Sequence, residues 1–397
     1  MDNTILKEKI NQAVDILKEK NIDMWLTFVR ESSMMTDPVL DMIAGVHSTW
    51  QAAICINKDG DTTAIIGSME EAKFRKTGLY KNIIPYLKSI REPFREYIAT
   101  KDPKKIAINF SKTSVLADGL TYGMHQILLE HLEGTDYKNR FVSSEEIISA
   151  LRGRKSPAEL ALMKEAVKET LKIFDAVTNY MKPGMTEIEI AKYVRKLHTE
   201  RGFETGWEED HCPAVFAGPN PNGPHEGPSD KVIKAGTVVN MDFGIKYKGY
   251  CSDLQRTWYI LKDGETKAPA PVQKGFDVIR DSIQKVADAV KPGVKGVDMD
   301  TIARTYITQN GYPEYVHGLG HQVGKTVHDG VAGMFPAWER YGNSPFIPLE
   351  EGQIFTIEPR LPIEGYGVAT IEEEVIITKN GCEFISPPQK ELILVKP

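Results

Sequence analysis

The feature that most constrains the fold of this chain is residues 238–260, VVNMDFGIKYKGYCSDLQRTWYI, which have the pattern of a β-hairpin carrying two aspartates. Apolar and polar residues alternate along both halves, and the predicted turn is Lys248-Gly249. A two-residue turn there pairs even positions with odd ones, so Asp242 and Asp253 share a face in every register, opposite an apolar face. Neighbouring carboxylates repel each other unless a cation lies between them. The hairpin therefore favours a metal site, with an ordinary solvated strand face as the alternative.

Composition excludes several classes of protein. The chain has 397 residues, 41% hydrophobic and 26% charged, as expected for a globular protein of two or three domains. A net charge of -6 gives no basic surface for nucleic acid or an anionic membrane. Since we find neither an apolar signal core nor a run of about 18 apolar residues, we expect a cytoplasmic protein. Four scattered cysteines without a CxxC motif indicate reduced, core-type residues.

The first part of the chain alternates strand and helix patterns and predicts a mixed α/β domain over residues 1–152. The predicted elements are helices at 5–20, 69–76 and 115–132 and strands at 23–29, 51–56, 62–66, 83–87 and 105–110. A boundary follows at LRGRKS, where Ser156 and Glu159 form a capping box with Pro157 at the first helical position. A long helix to about Tyr180 then opens a second domain, residues 153–397.

The second domain contains an internal repeat. Residues 181–203 resemble residues 290–312 at a constant offset of 109, and both copies contain Lys-Pro-Gly. A long helical pattern precedes each copy. The repeat predicts a pseudo-twofold α/β domain with a site between its halves, although repetition for structure alone is the alternative.

Histidines and glutamates supply further candidate ligands. His225 lies in a Gly/Pro/Asn-rich loop, and VHGLGHQVGKTVHD contains His317, His321 and His328, three of the nine histidines in the chain. Such a concentration favours metal binding or proton transfer. Glycines between them argue against a helical pair of ligands.

Two later strand patterns carry glutamates. Glu358 interrupts the apolar QIFTIEPR, where a charge is costly unless it is paired or coordinated. In the strand-like ATIEEEVIIT, alternation places Glu372 and Glu374 on one face and Glu373 on the other, but it does not select a ligand, and a solvated edge strand is the alternative. Two Asp, one His and two Glu suit a pair of manganese, iron, cobalt or zinc ions, which activate a bridging water and polarise a carbonyl.

The motifs NMDFG, YCSDLQRTW, HGLGH, VHD, TIEP and IEEEV occur in an order that resembles the pita-bread metallopeptidases, which include methionine aminopeptidase, aminopeptidase P, prolidase and creatinase. The resemblance covers residues 155–390. It implies an α/β (α+β) fold with a creatinase-like N-terminal domain, residues 1–152, and a pita-bread catalytic domain, residues 153–397. It also implies two divalent ions per subunit, with manganese expected and cobalt, zinc or iron as alternatives. The implied metal ligands are Asp242, Asp253, His321, Glu358 and Glu372.

The resemblance also assigns catalytic roles. Glu358 handles the proton, His225 and His328 match residues that bond the scissile carbonyl and the tetrahedral intermediate, and His317 matches a further substrate-side histidine. The N-terminal domain favours a homodimeric peptidase that hydrolyses the Xaa-Pro bond of dipeptides or peptide N-termini through a metal-bridged hydroxide. The alternatives are a creatinase-like hydrolase of a small C–N substrate and a non-catalytic peptide-binding module.

Four residues depart from the family pattern. Gln322 replaces a glycine, Asp329 a glutamate, Arg360 a glycine and Thr370 an arginine; residues 333–349 also form a longer stretch than the family needs. We interpret these changes as lining the substrate side of the site. The hypothesis is that Arg340 or Arg360 supplies the missing cationic group and binds a substrate carboxylate bidentately.

Overall fold

The computed structural model describes residues 3–219 and 226–397 and divides the chain into two compact units, residues 1–152 and 153–397. The first unit contains α1 (Thr4–Glu19), β1 (Met24–Val29), α2 (Leu40–Ile43), β2 (Ala52–Asn57), β3 (Thr62–Gly67), α3 (Glu71–Thr77), β4 (Asn82–Tyr86), α4 (Arg91–Lys101), β5 (Ile106–Ile108), α5 (Tyr122–His131), β6 (Phe141–Ser143) and α6 (Glu145–Gly153).

A six-stranded mixed sheet of order β4-β3-β2-β1-β5-β6 organises the first unit. Both of its faces are covered, as the central strand β1 shows. Its side chains alternate between two hydrophobic clusters, with Trp25 and Val29 in one and Met24, Leu26 and Phe28 in the other. The Asp59-Gly60 turn joins β2 and β3 into an antiparallel hairpin.

The predicted helix at 115–132 is only partly correct. A short 3-10 turn covers Val115–Ala117, and α5 begins at Tyr122, capped by the side chain of Thr121, which accepts a hydrogen bond from the Met124 amide. A side chain at Gly119, between the two, would collide with the carboxylate of Asp37. The backbone there is fixed by tertiary packing, which the local pattern does not reveal.

The second unit begins with α7 (Pro157–Tyr180), and its capping box forms as predicted, with Ser156 and Glu159 each accepting a backbone hydrogen bond. The remaining elements are α8 (Glu187–Glu200), β7 (Glu204–Thr205), β8 (Ala214–Ala217), β9 (Val238–Phe243), β10 (Ile245–Tyr247), β11 (Tyr250–Cys251), β12 (Leu254–Ile260), α9 (Ala270–Ala289), α10 (Gly296–Gln309), β13 (Gly320–His321), β14 (Gly333–Met334), β15 (Ile354–Ile357), β16 (Arg360–Ile363), β17 (Gly367–Thr370), β18 (Glu373–Ile377), β19 (Cys382–Phe384) and β20 (Ile393–Val395).

The internal repeat is a repeat of structure. Helices α8 and α10 each have 14 residues, and α7 and α9 end immediately before the two Lys-Pro-Gly-containing connections. The ends of α7 and α9, and both ends of α8 and α10, are separated by the same 109 residues as the sequence repeat. Each half therefore presents one helix pair, α7–α8 or α9–α10, to strands of the same unit.

Short sheets lie beside these helices. The largest has the order β20-β12-β9-β8, a second has the order β15-β18-β19, and β16 and β17 form a separate two-stranded ladder. The main hydrophobic cluster of the unit joins α9 and α10 to strands β15 to β18. Residues 369–378, predicted as one strand, are instead two, because the chain leaves β17 at Thr370 and enters β18 at Glu373 with different partners.

The aspartate hairpin is also interrupted. Its turn is at Lys248-Gly249, both with positive φ, and β9 pairs with β12 in the predicted register. Between them, β10 leaves this sheet and pairs with β7 instead. The break falls at Gly244 on one side and at Ser252-Asp253 on the other, so Asp253 lies at a strand end.

Candidate metal centre

The two aspartates of the hairpin lie together. Asp242 is paired with Gln255 across the β9–β12 ladder, and Asp253 precedes Gln255 by two residues on the same face. The two carboxyl groups are close enough that the charge of Asp242 raises the pKa of Asp253. Two neighbouring carboxylates repel each other unless they share a proton or a cation, so their proximity already calls for a positive partner.

His321 brings the second half of the unit to these aspartates. Its Nε2 lies 3.7 Å from Oδ2 of Asp253 and 3.3 Å from Oε1 of Glu358. Strand β13 reaches this position because Gly320 packs against the backbone of Thr356 in β15, where any side chain would overlap the Thr356 carbonyl oxygen. The His321 amide also donates to the Thr356 hydroxyl, at 3.1 Å. Glycine is therefore required at position 320 for His321 to reach the aspartates.

Glu372 is held against the same face by an isolated antiparallel bridge to Gln255. The Gln255 amide nitrogen donates to Oε2 of Glu372, at 3.0 Å, and to Oε2 of Glu358, at 3.3 Å. The neutral Gln255 side chain therefore bridges the carboxylates of Glu358 and Glu372, which would otherwise repel each other. Alternation in the hairpin places Gln255 on the aspartate face, but nothing in the sequence pattern assigns it this role.

The five predicted ligands are therefore brought together. Asp253, His321 and Glu372 each offer one ligand atom within 4.8 Å of the others, Asp242 joins them through Asp253, and Glu358 through His321. All five lie at strand ends or breaks, where the backbone is free to turn a side chain away from the pleat.

The charges of this cluster disturb one another. Burial raises the pKa of Asp242, Asp253 and Glu372 well above the ordinary carboxyl range, and the nearby carboxylates add to the effect. Burial also acts to raise the pKa of Glu358, but its hydrogen bond to His321 and the positive charge of the nearby histidines outweigh this and hold the pKa below its ordinary value. Among the described residues, the cluster contains more buried carboxyl groups than basic groups.

Two oxygen atoms show that the cluster suits a cation. Oδ1 of Asp242 and Oε1 of Glu372 are buried and have no hydrogen-bond partner within the part of the chain that the structure describes. Buried acceptors without partners are costly. A divalent ion would satisfy both oxygens and offset the repulsion, so these residues fit a metal of the kind that carboxylate and imidazole ligands select.

The accessory histidines have different surroundings. The His328 ring lies edge-on to the His321 ring, with centroids 4.3 Å apart. Nδ1 of His317 lies 2.7 Å from the Gly318 carbonyl, to which it donates, so Nε2 is the ring nitrogen left for another partner. Predicted catalytic residue His225 lies outside the described residues.

The face opposite the aspartates is not fully apolar, contrary to the prediction. Arg256 lies on it, buried, with its guanidinium 3.1 Å from Glu373 and close to the ring of Phe174. Alternation does not reveal this ion pair, because Arg256 stands among the apolar residues of its face. The pair does confirm that Glu373 faces away from Glu372.

Three of the four departures from the family pattern, Gln322, Asp329 and Thr370, are buried. Gln322 is 2% exposed and donates to the Ala332 carbonyl, while Asp329 is 1% exposed and lies 3.4 Å from Nζ of Lys155, which is itself buried. The predicted ligands Asp253 and Glu372 are buried to a similar degree, so the interpretation that the four departures line the substrate side stays a prediction. Arg360 and Thr370 have other surroundings, described below.

An α/β unit that gathers carboxylates and a histidine at strand ends is typical of metal-dependent hydrolases. Residues 161–379, more than half of the chain, match the model of metallopeptidase family M24. The chain belongs to this family of peptidases, and the predicted pita-bread α/β fold is confirmed.

Three relatives illustrate the similarity. The uncharacterized peptidase YqhT of Bacillus subtilis is 32% identical over 251 residues, 63% of this chain and 67% of that protein. A solved Xaa-Pro dipeptidase from Bacillus anthracis has a TM-score of 0.72 at 25% identity and covers 98% of this chain and 99% of its own. The prolidase from Pyrococcus horikoshii has a TM-score of 0.66 at 26% identity, with 97% and 99% covered. In the described residues, no helix is both long and apolar enough to span a membrane.

Proposed function

We propose that this chain is a peptidase that uses two divalent metal ions to hydrolyse the bond between a first residue and a proline. The observation that carries the proposal is the cluster of four carboxylates and one imidazole with two buried, unpartnered oxygens. Xaa-Pro specificity is supported by the solved Xaa-Pro dipeptidase and prolidase that share the fold at 25–26% identity.

The proposed ligands are Asp242, Asp253, His321, Glu358 and Glu372. Bound divalent ions would supply Lewis acidity toward the scissile carbonyl and lower the pKa of the attacking water. Manganese is the proposed ion, and cobalt, zinc and iron are the alternatives that the same donors accept. Gln255 orients two of the carboxylates from outside the ligand set.

Glu358 is the proposed proton carrier. Its pKa is held below the ordinary value, so its carboxylate is free of protons at neutral pH and is able to accept one from water and deliver it to the leaving nitrogen. His328 and His317 are proposed to donate hydrogen bonds to the substrate oxygen that gains charge, and His225 is proposed for the same task from its loop. Residues 1–152 are proposed as a creatinase-like domain that limits peptide length and supports a cytoplasmic homodimer.

The test is hydrolysis of Ala-Pro and Ala-Pro-Ala by metal-stripped protein, before and after addition of manganese, with Ala-Ala as the comparison. We expect cleavage of the proline peptides only with metal, and calorimetry to count two bound ions. Absence of metal binding would overturn the metal assignment. Metal binding without cleavage of either proline peptide would overturn Xaa-Pro specificity and direct the search to small C–N substrates.

A further inference from the structure

Arg360 has an unusual environment for an arginine. It is half-buried at the start of β16, two residues after Glu358, and its guanidinium lies 5.9 Å from the ring centroid of Phe216. Other buried arginines of this unit meet carboxylates, as Arg256 meets Glu373 at 3.1 Å and Arg304 meets an aspartate at 2.8 Å. Within the described residues, Arg360 forms no such ion pair.

The guanidinium of Arg360 is partly removed from water, and among the described residues no carboxylate compensates its charge. A guanidinium still carries its charge at any physiological pH. Removing a charge from water without a counter-charge is costly, so this arginine is maintained at the expense of stability. Buried charged residues without a protein counter-charge are typical of sites where a ligand supplies that counter-charge.

The side chain opposite Arg360 is also unsatisfied. The β16–β17 ladder pairs Arg360 directly with Thr370. Thr370 is 5% exposed, and its hydroxyl has no hydrogen-bond partner in the described part of the chain. A cation and a hydroxyl that face each other across one strand pair, both without protein partners, form a pair of donors for one anion.

This pair lies on the same side of the sheet as the metal ligands. Phe216 pairs with Asn240 in the β8–β9 ladder, and Asn240 is two residues from Asp242, so Phe216 and Asp242 share a face. The Asn240 amide donates to the Val368 carbonyl, and the Thr257 hydroxyl donates to the Thr370 carbonyl. These bonds fix the β16–β17 ladder across that face.

Distance limits the ligand to a short one. Two residues of extended chain span at most about 7 Å, so the backbone of Arg360 is that close to the backbone of Glu358. In a dipeptide, the terminal carboxylate is three bonds from the scissile carbonyl carbon. The carboxylate of a dipeptide at the cluster is therefore within the reach of an arginine side chain.

We propose that Arg360, with Thr370 opposite, binds the free terminal carboxylate of the substrate and makes this protein a dipeptidase. The inference rests on the proposed function and goes beyond it, because it selects dipeptides over the N-termini of longer peptides. A longer peptide places a neutral amide beside Arg360 and leaves the guanidinium uncompensated. Arg340, the rival cation, is exposed and donates to the Val316 carbonyl and the Tyr341 hydroxyl.

The experiment compares Ala-Pro with Ala-Pro-amide, which differ only in the charge of the terminal group. For manganese-loaded wild-type protein we expect kcat/KM to favour the acid. Arg360→Gln should lower kcat/KM for the acid by about 30- to 100-fold, the range for a charge-assisted hydrogen bond, and change that for the amide by less than about threefold. Arg360→Lys should retain part of the preference. Arg280→Gln, at a partly exposed helical arginine, is the matched control and should leave the ratio unchanged.

Two further readouts keep the outcome clear. Arg360→Gln should melt no lower than wild type, because it removes an uncompensated charge; a lower melting temperature with equal losses on acid and amide would show a structural role and overturn the inference. Loss of the acid preference in Arg340→Gln rather than in Arg360→Gln would also overturn it.

Calorimetric binding separates this inference from the proposed function. If neither peptide is cleaved but Ala-Pro binds more tightly than its amide, and only while Arg360 is present, the carboxylate site stands and the peptidase assignment fails. If both peptides are cleaved with an acid-to-amide ratio that Arg360→Gln does not change, the peptidase stands and this inference fails.

Discussion

Three consecutive glutamates have three different environments. Glu372 accepts a hydrogen bond from Gln255 and keeps one buried oxygen without a partner. Glu373 meets Arg256 and also accepts from the Ser386 hydroxyl. Glu374 accepts the amide of Asp253, at 2.7 Å. Alternation in the sequence predicted the two faces correctly. Only the tertiary contacts distinguish the proposed ligand Glu372 from Glu373 and Glu374, which bind other protein groups.

The first prediction compares two of these neighbours. Glu372→Gln should weaken manganese binding at least tenfold without lowering the stability of the metal-free protein, because it removes one of several repelling charges. Glu373→Gln should leave Arg256 buried without a full counter-charge and cost about 3–5 kcal/mol of unfolding free energy. Calorimetry with manganese and urea denaturation in chelator measure both. Equal effects of the two substitutions on metal affinity would contradict the assignment.

The second prediction concerns Glu374, whose pKa burial raises from 4.5 to about 8, with the Glu373 charge adding to it. The folded protein then keeps a proton between these pH values that the unfolded chain has lost. Its stability falls by about 1.4 kcal/mol per pH unit from this group alone as pH rises, and the loss is complete above about pH 8. In chelator, Glu374→Gln should therefore become more stable relative to wild type from pH 5 to pH 8. A constant difference, measured by urea denaturation, would show that Glu374 is already ionised.

At the scale of elements, the decisive feature is the break in the aspartate hairpin. Gly244 ends β9, and a side chain there would overlap the Ser252 carbonyl oxygen. This close contact lets β10 leave the sheet while Asp253 returns to face Asp242. The turn, the register and the shared face were predictable because they follow from the period of two. The break was not predictable, because it depends on the pairing of β10 with β7, which lies about 40 residues earlier in the chain.

The third prediction tests that contact. Gly244→Ala should lower the unfolding free energy by more than about 2 kcal/mol, because backbone must move to admit the methyl group, and should weaken metal binding in parallel. Gly123→Ala is the control, since that glycine lies in α5 with open space around it. The control should stabilise the protein by about 0.5–1 kcal/mol. Normal stability and metal affinity of Gly244→Ala would show that the strands tolerate a wider spacing.

For the whole molecule, metal and pH act on the same charges. Burial and mutual repulsion raise the pKa values of Asp242, Asp253 and Glu372, so the folded, metal-free protein binds protons that the unfolded chain releases. The contribution of these three groups to stability is therefore present at low pH and is lost as pH rises. The five proposed ligands were predictable from the order of the sequence motifs. The repulsion between their charges was not, because it depends on their burial and spacing in the folded protein.

The fourth prediction follows from that balance. The rise in melting temperature caused by manganese should be small at pH 5.5 and larger at pH 7 and 8, because protons and metal compete for the same oxygens. Scanning calorimetry with and without chelator gives the shifts. Asp253→Asn is the comparison variant and should lose most of the increment. A manganese shift that does not vary with pH would place the metal elsewhere.

The link between β17 and β18 sets a limit on chain length. Only Ile371 and Glu372 separate the two strands, and the three glutamates that begin there alternate between the metal cluster and Arg256. Deleting or inserting one residue in this link would move every glutamate to the opposite face, so Arg256 and the cluster would exchange partners together. A substitution changes one environment, whereas a change of length changes all three. Among natural variants of this chain, the length of this segment should therefore stay constant.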